Sequence, residues 1–290
     1  MRPPPIIRLR KDWRRMSSPT DNIRPELLEI HKKLLDFAKT GIPDAIQIET
    51  LKPNRPNQLF EIVVHALSAK STTTYEAINL LCKEDFCADA LTLTKSLIEH
   101  LITLAYITAP QQNEIKNHRA QLFTNWSNIS IHNAKTLSSH FRMIPKISLD
   151  EMLKVEKSAY DESFKLHKEE CDKLGKIADR NSWSGLSLSV MAKRTELSQI
   201  YVLYWVCNQF AHPNIEGLKS NVSLDYTVKD IVGAIFHSGP NPGNNINDDL
   251  VLSFITYCHI INKIDKIFHL NLDNEIEIIK SNFVNVNQGT

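Results

Sequence analysis

The chain has 290 residues, of which 42% are hydrophobic and 23% charged, enough for one large domain or two small ones with a sizeable core, and too apolar for wholesale disorder. A net charge of +1 gives the molecule as a whole no electrostatic pull towards nucleic acid.

The charge is concentrated at one end. Within the first sixteen residues Arg2, Arg8, Arg10, Lys11, Arg14 and Arg15 face Asp12 alone, a local charge of +5 against about −4 for everything after it. Pro3, Pro4 and Pro5 prevent a regular helix there. Residues 1–23 are therefore expected to be a basic, solvated arm, with phosphate contact as its functional alternative. A helical bundle domain is expected over 24–275 and a polar tail over 276–290.

The eight glycines and the lack of sustained apolar–polar alternation argue against a strand-rich fold, while long stretches without breakers carry helical periodicity. Pro25 suits a first helical turn, and Leu27, Leu28, Leu34, Leu35 and Phe37 supply an apolar stripe to Lys39, where Gly41 and Pro43 should stop it. Residues 50–57 hold two prolines and read as a linker. A helix is expected from Gln58 to Ala69, continuing from Thr72 to Cys82 past a kink near Ser71. Asp85 is placed to cap the next helix, Phe86 to Ile107, which is apolar around most of its circumference and should be central. Further helices are expected at 111–137, 149–178, 187–194 and 197–211, the last ended by Pro213 at His212. Residues 239–247 form a loop, and Asp248 or Asp249 should cap a helix to about Asn271. The fold class is all-α: an irregular multi-helix bundle around the apolar helix at 86–107.

Cys82, Cys87, Cys171, Cys207 and Cys258 are odd in number and match no zinc or redox spacing. Reduced thiols, no secretory signal and no membrane-length apolar run lead to the expectation of a cytoplasmic protein without membrane partners. His167 and Cys171 stand four apart and, with Asp172, lack a fourth metal ligand; His132 and His140 have no matching partners. There is no HExxH, P-loop, GxGxxG or GxSxG. No cofactor or metal is expected.

Two polar constellations remain. On the apolar helix Lys95 and Glu99 share one face with Thr92, Ser96, Thr103 and Tyr106, with His100 alongside. The pair reads as an intrahelical ion pair at a helix seam, or as a desolvated site with Glu99 as a general base. Tyr201, Tyr204, Asn208 and His212 line one stripe of a later helix. They read as an aromatic seam with a capping histidine, or as a substrate surface of Tyr201 and Tyr204 in which His212, made more basic by the helix dipole, exchanges protons. Trp183 is a lid over such a site or a hydrophobic plug.

The runs A-D-A-L-T-L-T-K-S-L-I-E-H-L-I-T-L-A-Y-I, W-S-G-L-S-L-S-V-M-A and Y-V-L-Y-W-V-C-N-Q-F-A-H-P, in that order over about 85–215, resemble a poorly characterised family of bacterial all-helical proteins. Its pattern is a basic residue four before a Glu, a Trp-x-Gly-x-Ser loop and a Tyr-rich helix ending in His. The chain departs from it in having Lys95 where Arg is usual and Asn208 where Ser is frequent. The segment Cys207 to His212 is also similar to the HEPN superfamily of helical RNases, which implies RNA cleavage by His212 and Asn208. Cys207 stands where that superfamily has Arg, so the cation for a phosphate transition state would have to come from Lys95. Three functions stay open: a non-catalytic interaction module in which Lys95, Glu99, Asn208 and His212 form a buried polar network; a HEPN-like RNase or nucleic-acid-directed protein of a bacterial defence or toxin–antitoxin system; and a small-ligand hydrolase or binder. RNA or another protein is the expected partner, and a homodimer is compatible with such a bundle.

Overall fold

The computed structural model describes residues 25–50, 58–140, 146–178, 182–211, 222–226, 231–236 and 246–288. The basic arm, residues 51–57 of the linker expected at 50–57, and His212 lie outside them. The described residues form nine helices and one β-hairpin: α1 (Pro25–Thr50), α2 (Leu59–Lys83), α3 (Cys87–Thr108), α4 (Asn113–His140), α5 (Lys146–Lys173), α6 (Leu188–Arg194), α7 (Ser198–Ala211), β1 (Val222–Tyr226), β2 (Ile231–Phe236), α8 (Ile246–Phe268) and α9 (Asp273–Gln288). The all-α reading holds. The antiparallel hairpin, pairing Val222 with Phe236, is an addition that the sequence reading lacked.

Five features differ from expectation. Pro43 and Gly41 do not stop α1, because Ile42 and Ile46 continue the stripe of Leu27, Leu34 and Ala38 and are buried with it; burial outweighs the hydrogen bond proline removes. No break separates the halves of α2 at Ser71. There Thr72, Thr73 and Thr74 each donate a hydroxyl to the carbonyl four residues back, at 3.0, 3.1 and 2.9 Å, so the polar run satisfies itself within the helix. Asp85 caps the end of α2 rather than the start of α3: it has φ 61°, and Phe86 N–H reaches back to the Leu81 carbonyl at 2.8 Å, the bond of a Schellman turn. The polar tail expected from 276 is instead helix α9, with Ile276 and Phe283 buried. Asp249, expected as a cap, is buried inside the first turn of α8.

The chain divides into two compact units, where one bundle domain over 24–275 was expected. The first contains α1, α2 from Ser68, α3 as far as Leu101, and α7 to α9 with the hairpin. Its core is aromatic: His31 of α1 stacks on Tyr75 of α2, Tyr75 on Tyr257 of α8, and Phe254 of α8 on Phe283 of α9 with centroids 3.8 Å apart. The polar ends of these rings pair internally, Tyr75 Oη with His31 Nδ1 at 2.6 Å and Tyr257 Oη with Thr72 Oγ1 at 2.7 Å. The second unit contains α2 up to Leu67, α3 from Ile102, and α4 to α6. There Asn117 of α4 accepts from the Phe60 amide at 3.1 Å and donates to Gln58 at 2.5 Å, which ties down the start of α2. Every residue of α3 from Leu101 to Ile107 is buried, the all-round burial its composition predicts.

Candidate functional site

The α3–α7 seam of the first unit gathers four of the residues singled out in the sequence. Lys95 and Glu99 lie one turn apart on α3, both half-buried. Rather than pairing with each other, both turn to Tyr204 of α7. The Lys95 ammonium sits 5.6 Å from the Tyr204 ring centroid, within range of a cation–π contact. The Glu99 carboxylate faces the phenol; burial, with the Glu99 charge added, pushes Tyr204 up to about 12. Tyr201 stacks on Tyr204 with centroids 5.4 Å apart and planes 18° apart.

The remaining candidates fall elsewhere. Asn208 is half-buried one turn beyond Tyr204 on α7, and no hydrogen bond joins it to Lys95 or Glu99. His100 packs inward and approaches Ser71 Oγ at 3.3 Å; burial, with Lys70 adding, lowers it to about 4, so it is neutral at pH 7. Trp183 belongs to the second unit, packed edge-on against Tyr106 at 5.9 Å and Phe123 at 5.2 Å, which is plug geometry. His167 and Cys171 approach to 3.7 Å beside Trp126 and Phe164. Asp172 is exposed, and no group of three metal-ligating side chains occurs among the described residues.

Two features had no clear signal in the sequence. Trp205, adjacent to the tyrosine pair, is 53% exposed despite its size. A cavity of about 340 Å³ opens between α8 and α9, lined by Phe254, Ile255, Asn262, Lys280 and Phe283. Its far wall is α9, where a solvated tail was expected, so no sequence pattern announced it.

The matched segment of a family of unknown function, DUF5677, runs over residues 61–227, more than half of the chain, and takes in both helices of the α3–α7 seam and the Trp183 loop. The chain belongs to that family. No curated protein and no solved structure matches it. In this DUF5677 chain position 207, the arginine position of the HEPN pattern, is a fully buried thiol, which burial, with Asp249 adding, pushes up to about 12. It is neutral and supplies no cation. Among the described residues no helix is long and apolar enough to cross a membrane.

Proposed function

We propose that this DUF5677 protein is a non-catalytic binding module that docks a protein segment on the aromatic patch of α7. The observation that carries this reading is the spacing of Tyr201, Tyr204 and Trp205, with a tryptophan left 53% exposed beside a stacked tyrosine pair. Positions i, i+3 and i+4 share one helix face, and tyrosine and tryptophan are the side chains that dominate protein–protein affinity. Charge favours a protein over RNA. Helix α7 carries no charged residue, and beside it Lys95 is offset by Glu99, so the described residues offer no cationic track there for a phosphate backbone. Lys95 and Glu99 then serve to hold Tyr204, and through it Tyr201, in place. The buried thiols of Cys171, Cys207 and Cys258, which form no disulfide among the described residues, support a cytoplasmic setting.

Purification from the native cell separates this reading from the RNase alternative. Trp205→Ala should leave the melting temperature unchanged and remove a specific co-purifying protein, while Glu99→Ala should lower stability by about 1 kcal/mol without exposing any lost activity. Purified protein that cleaves RNA, and stops doing so in Lys95→Ala, would replace the binding module with a catalytic one. Retention of every bound protein by Trp205→Ala would remove the docking face.

A further inference from the structure

In the second unit cations converge on one buried ring, and among the described residues no carboxylate pairs with them. At its centre is Tyr106, fully buried near the end of α3. The Arg119 guanidinium of α4 lies 4.0 Å from the Tyr106 ring centroid and donates to the Tyr106 carbonyl. The Lys176 ammonium, just past α5, lies 4.8 Å from the same centroid, donates to the Tyr106 hydroxyl, and donates to the Ser184 carbonyl at 2.9 Å. Arg194, exposed at the end of α6, is close enough that its charge, after burial, lowers Arg119. Among the described residues no carboxylate forms an ion pair with any of the three. The nearby acid Glu170 is held by His118 and Lys173. Arg119 also keeps Nε buried without a hydrogen-bond partner.

Such an arrangement is costly unless something negative completes it. Cation–π contacts and two carbonyls offset part of the desolvation, but the repulsion between Arg119 and Lys176 across one ring and an orphaned guanidinium N–H remain. Arginine beside lysine is the pairing that meets a tetrahedral oxyanion, the guanidinium by its fork and the ammonium as a point charge. We propose that Arg119 and Lys176 form a binding site for a small phosphate-bearing ligand, with Tyr106 and the Trp183 loop as the rigid base that aims the two cations and the exposed Arg194 adding positive charge from its helix end. This site is independent of the α7 patch and stands or falls without it.

The test is thermal shift and calorimetric titration of the full chain with inorganic phosphate, AMP and acetate, at ionic strength matched with potassium chloride. The expected result is a saturable rise in melting temperature with phosphate and AMP and none with acetate. Arg194→Gln, an exposed position that leaves the fold intact, should weaken phosphate several-fold; Lys176→Gln, which keeps a donor for Tyr106, should weaken it tenfold or more. Tighter binding of AMP than of phosphate assigns the site to a phosphomonoester, and equal binding to free phosphate. Absence of a saturable effect, or an affinity unchanged from the parent protein in both variants, overturns the proposal, the latter by locating phosphate elsewhere, as on the N-terminal arginines.

Discussion

Asp85, Gly175 and Gly185 do the same backbone work, with φ near +60° where a helix or loop reverses. Only the glycines advertise it. Asp85 was legible as a capping residue, but a side chain that suits both a helix start and a left-handed turn does not say which helix it serves, and here it closes α2. Gly185 is constrained twice. A Cβ there would lie 3.1 Å from the Ile177 carbonyl oxygen, whereas one at Gly175 meets nothing within 4 Å. Gly185→Ala should therefore cost more than Gly175→Ala in urea unfolding; the latter pays only the left-handed backbone strain of about 1 kcal/mol. Equal losses would show that the Ile177 carbonyl moves aside freely. The site residues were half legible for a related reason. The i, i+4 spacing of Lys95 and Glu99 correctly put them on one face, but spacing alone suggests an ion pair with each other. That Tyr204 intervenes depends on which helix packs alongside, which no local pattern encodes.

Whole elements were read well where the apolar stripe was dense and poorly where it was thin. Helix α3 lay within a residue of its expected limits because its apolar residues leave no other assignment. Helix α9 was missed although Ile276, Ile279, Phe283 and Val286 stand at helical spacing, because Asn, Asp, Glu, Lys and Ser fill most of the positions around them and made the segment read as a tail; Ile276 and Phe283 are its buried anchors. Those anchors have a measurable consequence. Phe283 stacks on Phe254 at 3.8 Å with planes 5° apart, beside the existing cavity. Phe283→Ala should destabilise by about 3–5 kcal/mol, while Val284→Ala, at a position 46% exposed, should change stability by under about 0.5 kcal/mol. Similar small effects from both, by chemical denaturation, would mean that α9 is not docked in solution.

At the scale of the whole molecule, buried histidines set the response to acid. Burial lowers His31 to about 3 and His100 to about 4, from an ordinary value of 6.5. The unfolded chain takes up these protons near pH 6.5 and the folded protein does not until far lower, so the unfolded state binds more protons across that window. Folding stability is therefore complete above about pH 6.5 and falls with acidification, by up to about 1.4 kcal/mol per pH unit for His31, with His100 adding in the same sense. His31→Gln should flatten the dependence of unfolding free energy on pH between 6 and 4; an unchanged slope would mean that His31 is protonated in the folded state. Composition made the all-helical class plain from the outset. The division into two units was not legible, because α2 and α3 each run unbroken from one to the other, and a sequence reader looks for domain borders in loops.

That same interleaving bears on how the chain is born. The unit built around α4 to α6 has all its parts once residue 198 has been synthesised, yet it shares α2 and α3 with a unit still lacking α7 to α9. Folding in step with the ribosome, one finished domain after another, is therefore hindered: Tyr75 on α2 can meet His31 of α1 early, but its other stacking partner, Tyr257 of α8, leaves the ribosome only near the end of synthesis.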